Sequence, residues 1–124
     1  MTDSLRFRIA YITLRKLAQV WFGNLVTMKW WNDLWLKESF ADFMALMCLI
    51  DCNDELSMGD ERKKNVFRNT EIMKVKFIDA ALDLDKKRAL THPIQVEVKH
   101  TTGAVNMCDK GVCFLQTLKH FIGE

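Results

Sequence analysis

Arg15-Lys16-Leu17-Ala18-Gln19-Val20-Trp21-Phe22-Gly23-Asn24-Leu25-Val26-Thr27-Met28-Lys29-Trp30-Trp31-Asn32-Asp33-Leu34-Trp35-Leu36-Lys37-Glu38-Ser39-Phe40-Ala41 is the stretch that decides the fold. Upstream of it, apolar residues fall at Leu5, Ile9, Ile12, Leu17, Ala18 and Trp21. Most of these follow helical spacing, so a helix is predicted from about Leu5 to Phe22. Asp3 or Ser4 can cap its start, and Gly23-Asn24 supplies a left-handed stop. Leu25 to Trp31 then reads as a turn and a short extended connector. A second helix begins at Asn32 or Asp33 and runs to about Ile50.

Further along, Asp51-Cys52-Asn53-Asp54-Glu55 reads as a polar break. A third helix is predicted from Met58 or Asp60 to about Leu82, on the apolar positions Val66, Ile72, Val75, Ile78 and Leu82. Asp83 to Thr91 is a polar connector, and Pro93 forces an extended conformation on His92. Ile94-Gln95-Val96-Glu97-Val98 alternates with period two, as a short strand or extended segment does. Thr101-Thr102-Gly103 is a turn. A last helix runs from Asn106 or Asp109 to Phe121, closed by Gly123. The expected fold is mainly α: about four helices with one short extended segment.

The 124 residues make one domain at most. Apolar residues at 49% and charged residues at 27% describe a chain that forms a core. A net charge of +2, with basic residues scattered apart from Lys63-Lys64 and Lys86-Lys87-Arg88, gives no nucleic-acid footprint. No secretory signal is visible, and no apolar run reaches the roughly 18–20 residues of a membrane span. The cysteines at 48, 52, 108 and 113 match no zinc knuckle and read as free, mostly buried thiols. The tryptophans at 21, 30, 31 and 35 read as core and interdomain packing residues. Asp33 reads as a cap or a structural hydrogen-bond acceptor.

The opening stretch resembles the zinc-site segment of the aminopeptidase N family, the gluzincin aminopeptidases. That family's pattern is H-E-x-x-H, eighteen intervening residues, then Glu. Here Gln19 and Glu38 keep the spacing, but the first His position holds Arg15, the Glu position Lys16 and the second His position Gln19. Downstream, His92-Pro93-Ile94-Gln95-Val96-Glu97-Val98 is similar to the family's S-H-P-I-x-V-x-V. Cys108-Asp109-Lys110-Gly111-Val112 resembles its Y-x-K-G-A, and Leu118 to Glu124 resembles the L-x-x-F-L-G-E that follows. The resemblance implies a thermolysin-like catalytic-domain fragment over residues 1–124. It also implies that the family's N-terminal β domain, its G-x-M-E-N segment and its C-terminal helical domain are lacking.

What the resemblance implies for chemistry is mostly loss. In the family two imidazoles at i and i+4 and the distal Glu bind zinc, and the Glu beside the first His acts as general base. Of the ligand positions Arg15, Gln19 and Glu38, only Glu38 keeps the family residue. Arginine has no lone pair for a metal, and Lys16 cannot act as the base unless its pKa falls by several units. The family's oxyanion-stabilising Tyr corresponds to Cys108, a poor donor. No catalytic residue, metal ligand or cofactor is therefore expected, zinc being the family's. The histidines at 92, 100 and 120 have no partner at ligand spacing and read as surface or turn residues.

Glu38 is then either solvated in an open cleft or paired with Arg15, and with Lys16, in place of zinc's charge. A carboxylate buried without a partner would be costly. Three functions stay open. The chain is a non-catalytic relative serving as an interaction module; or a zinc-dependent aminopeptidase removing N-terminal residues from peptides; or a product with no selected role. A peptide substrate is expected only in the second. Self-association or a protein partner through exposed apolar surface is expected in the others.

Overall fold

The computed structural model describes residues 2–55, 60–87, 93–95 and 107–123. It contains four helices: α1 (Asp3–Trp21), α2 (Leu34–Glu55), α3 (Asp60–Lys86) and α4 (Met107–Ile122), with a 3-10 turn, Trp31–Asp33, leading into α2. The chain is mainly α, and no strand occurs among the described residues.

α2 is the central element and packs against the other three helices. Its sequence suits that place, because Ala41 and Ala45 are fully buried and let a neighbouring backbone come close. The core gathers Ala45, Leu46 and Leu49 of α2 with Tyr11 of α1 and Val112 of α4. Phe7, Ala10, Leu14, Met73 and Phe77 pack around it, half-buried. Gly111 lets α4 come close to α2: a Cβ there would overlap Ser39 and lie 2.9 Å from Trp35 Cε3. Lys110 of α4 pairs with Asp85 of α3.

Several boundaries differ from the sequence expectation. The N-cap of α1 is Thr2, with no side-chain cap bond, rather than Asp3 or Ser4. Gly23 follows α1 with a positive φ of 158°, a conformation L side chains rarely adopt, though far from the left-handed helical value of about 57° of an ordinary αL stop. A turn tied by an isolated Phe22–Val26 bridge follows instead. Gly23 is needed for space, since an added Cβ would sit 2.9 Å from the Gln19 carbonyl oxygen. The polar residues Asp51–Glu55 continue α2, and Asp83–Lys86 continue α3. Charged residues cost a helix little in its last turn, so polarity alone did not end either one. Gly123 does close α4, with φ 76° and its N–H donating to the Lys119 carbonyl at 3.2 Å.

The inward faces differ too. α1 turns Phe7, Ala10, Tyr11 and Leu14 to the core, while Leu5, Ile9, Ile12, Leu17 and Trp21 are exposed. α3 turns Thr70, Met73, Phe77 and Ala81 inward and leaves Ile72, Val75, Ile78 and Leu82 outside. Trp21, Trp30 and Trp31 are exposed, so only Trp35 packs inward, edge-on to Phe114. Of the cysteines, Cys48 and Cys113 are half-buried and Cys52 is exposed, not mostly buried as expected. Ile94 and Gln95 form a bend, and Val96–Val98, the turn at 101–103, His92 and His100 lie outside the described residues. No described helix is long and apolar enough to cross a membrane.

Candidate functional site

Positions four apart on a helix project from one face. α1 carries Tyr11, Arg15 and Gln19 at this spacing, and α2 carries Glu38 and Asp42. The two rows meet as an antiparallel ladder. Tyr11 Oη donates to Asp42 Oδ1 at 2.6 Å. Arg15 Nε donates to the same Asp42 oxygen, while Arg15 Nη2 donates to Glu38 Oε2 at 2.6 Å. Gln19 Nε2 donates to Glu38 Oε2 at 3.0 Å. One guanidinium thus spans two carboxylates, each on the next turn of α2, using its planar fork of donors.

Burial grades along the ladder. Asp42 is 6% exposed. Arg15 and Glu38 are half-buried, and the Lys16 contact lies in solvent. Lys16 Nζ donates to Gln19 Oε1 at 3.2 Å, which leaves the amide nitrogen of Gln19 to face Glu38. Lys16 therefore does not join Glu38 directly. The second cation at Glu38 is Lys37, with Nζ 3.6 Å from Oε1.

The charges are consistent with this layout. Burial alone would lower the pKa of Arg15, but Asp42 first and Glu38 second outweigh it and raise the pKa above the ordinary arginine value. Tyr11 is raised far above the ordinary tyrosine value, by burial and then by its bond to the Asp42 carboxylate. Asp109, at the start of α4, is raised by burial and by the nearby charge of Asp42.

Sequence reasoning named Arg15, Lys16, Gln19 and Glu38, and the structure brings Arg15, Gln19 and Glu38 together. It missed Tyr11, Asp42, Lys37 and Asp109. The signal for two of them was available: Tyr11 stands four residues before Arg15, and Asp42 four after Glu38. Cys108 lies on the first turn of α4, but its side chain is outside the described residues. His120 is exposed on α4, as expected. Asp33 accepts a hydrogen bond from Gln95 Nε2 at 2.8 Å, the structural role predicted for it.

Seen chemically, Glu38 faces two N–H donors where a metal site would present lone pairs. Among the described residues no group of three or more His, Cys, Asp or Glu side chains is placed to hold a metal ion. A cavity of about 590 Å³ lies between α1, α2 and α3. It is lined by apolar groups including Phe7, Leu14, Leu49 and Val66, and no residue of the ladder lines it.

Comparison with known proteins places this arrangement in context. Residues 1–124 match the peptidase family M1 domain. The chain is 36% identical over 121 residues to endoplasmic reticulum aminopeptidase 2 of Bos taurus, covering 94% of this chain and 11% of that protein. It is 34% identical over 128 residues to probable aminopeptidase 1 of Saccharolobus solfataricus, covering 98% of this chain and 14% of that protein. Puromycin-sensitive aminopeptidase of Caenorhabditis elegans is 43% identical over 90 residues, 64% of this chain and 9% of that protein. The chain thus spans a small part of the curated relatives it matches. No solved structure matches it significantly.

Proposed function

The chain belongs to peptidase family M1, the aminopeptidase N family, and from that premise we propose that it is a non-catalytic member. In this reading the α1–α2 pair survives as a scaffold and Arg15 ties the two helices where the family places zinc. The observation that carries it is the Arg15 guanidinium bridging Glu38 and Asp42. Zinc does not fit these residues. Arg15 has no lone pair to give, Gln19 presents its amide nitrogen, and Glu38 alone offers a carboxylate. The Lys16 ammonium cannot take a proton from a bound water. The protein serves instead as an interaction module, with Trp21, Leu25, Trp30 and Trp31 as its exposed apolar surface.

The test is metal content after purification in zinc, with and without Arg15→His, Lys16→Glu and Gln19→His combined. Little zinc in the natural chain and about one ion per chain in the triple variant support the reading. Stoichiometric zinc in the natural chain overturns it.

A second reading rests on the relatives, which carry the name aminopeptidase. In it the chain is part of a zinc-dependent enzyme that removes N-terminal residues from peptides. Hydrolysis of an aminoacyl reporter by the natural chain, abolished by a chelator, would establish it over the first.

A further inference from the structure

The cavity of about 590 Å³ between α1, α2 and α3 has a shape and a chemistry of its own. Protein interiors hold few voids larger than a water molecule, so a space of this size is not a packing defect. It falls within the roughly 300–1,000 Å³ of small-molecule sites, which often lie between the helices of a bundle. On α1 its wall is Asp3, Arg6, Phe7, Ala10, Thr13 and Leu14, which recur every three to four positions, so one helix face lines it lengthwise. From Asp3 to Leu14 that face runs about 16 Å, which makes the cavity a slot. Leu49 of α2 and Val66 of α3 supply its apolar flanks. Thr13 spends its hydroxyl on the Ile9 carbonyl at 2.8 Å.

One end of the slot is polar. Asp3 and Arg6 near the start of α1 meet Arg62 and Asn65 near the start of α3 there, and Asn65 Nδ2 donates to Asp3 Oδ2 at 3.2 Å. Asp3 is also paired with Arg6, 3.9 Å from its Nη1. Arg62 forms no ion pair among the described residues. Two guanidiniums against one carboxylate leave this end with a positive charge in excess, and no other charged side chain lines the slot.

We propose that the slot binds a medium-chain fatty acid, with its alkyl chain along α1 and its carboxylate on the Arg62 guanidinium beside Arg6. Moving the alkyl chain out of water drives binding, and arginine's planar fork of donors matches a carboxylate. A zigzag chain of about twelve carbons, with bonds of about 1.5 Å, spans the slot. A neutral amphiphile would leave Arg62 without a partner. A peptide segment would bring backbone N–H and C=O groups that the apolar flanks cannot satisfy. The slot shares no residue with the Arg15 ladder, so this site stands whether or not zinc chemistry is lost. Cys52, a free and exposed thiol on the α2 wall, reports whether the slot is filled.

The experiment titrates the full chain by calorimetry with dodecanoate below its micelle-forming concentration, at about pH 7.5 where the carboxylate is ionised. Dodecanol is the neutral probe. One dodecanoate per chain is expected, bound about 10-fold more tightly than dodecanol. Arg62→Gln should weaken dodecanoate by roughly 10-fold and leave dodecanol unchanged. Ala10→Phe should abolish binding of both by filling the slot. Val66→Phe fills it from α3, should the first variant disturb packing, and circular dichroism melting checks the fold of each. Saturating dodecanoate should slow alkylation of Cys52, read by peptide mass spectrometry, while Cys113, which lines a different cavity, reacts at an unchanged rate. Equal affinity for dodecanoate and dodecanol, or undiminished dodecanoate binding by Arg62→Gln, would overturn the proposal. So would no saturable binding by the folded chain, or unchanged binding in both phenylalanine variants. A dimer in sedimentation velocity that Ala10→Phe dissociates and dodecanoate does not would show that a second copy fills the slot, and would overturn it too.

Discussion

Tyr11 donates its hydroxyl proton to Asp42 at 2.6 Å across 31 positions of sequence, and it is the only tyrosine in the chain. That makes the buried end of the ladder directly observable. A denatured tyrosine ionises near pH 10. In the folded protein burial and the Asp42 carboxylate hold the Tyr11 proton well beyond that point. Near-ultraviolet phenolate absorbance should therefore stay absent above about pH 10 until the protein unfolds. The unfolded state binds fewer protons in this range, so stability should fall as pH rises past about 10. Tyr11→Phe should remove that alkaline slope and cost about 0.5–1.5 kcal/mol at neutral pH. A phenolate signal at about pH 10 in the folded chain would contradict the assignment.

Asp42 and Glu38 both hold Arg15, but they should not matter equally. Asp42 is the more buried, and removing it strands the Tyr11 hydroxyl and the Arg15 Nε together. Asp42→Ala should cost about 2–4 kcal/mol in urea unfolding. Glu38→Gln leaves Arg15 with Asp42 and should cost about 1 kcal/mol or less. The reverse order would show that Glu38, not Asp42, anchors the guanidinium.

Gly111→Ala sets helix propensity against space. Alanine is favoured over glycine in a helix by about 1 kcal/mol. Its Cβ, however, would sit 2.7 Å from Ser39 Cβ and 2.9 Å from Trp35 Cε3. Overpacking of this kind costs about 1–3 kcal/mol, so a net fall in Tm is expected. Adding Ser39→Gly should recover part of the loss. A rise in Tm from Gly111→Ala alone would mean that α4 moves away from α2 without cost.

Trp21, Trp30 and Trp31 are more than half exposed. Replacing all three with Gln should change stability by only about 0.5 kcal/mol per site. The same variant should lower self-association in sedimentation velocity, because it removes an apolar surface of the kind that draws partners. Strong destabilisation would place these rings in packing the isolated chain already makes.

The four helices were legible because their apolar residues recur at helical spacing, but the inward faces of α1 and α3 were not. α1 has Phe7, Tyr11 and Leu14 on one side and Leu5, Ile9 and Ile12 on another, both apolar. Periodicity reports that a helix has apolar stripes, not which stripe meets the core. In the ladder, Arg15, Gln19 and Glu38 were found through a resemblance in spacing. Asp42 was overlooked because, read alone, it only interrupts an apolar run. Its value lies in Tyr11 and Arg15, which the chain delivers from 31 and 27 positions away.

A bound metal ties stability to its own free concentration, since every ligand that binds only the folded state adds a mass-action contribution. A guanidinium carried by the chain has no such concentration dependence. If Arg15 is the tie between α1 and α2, the domain folds to the same extent in zinc-replete and zinc-starved surroundings. It can be neither loaded late nor stripped.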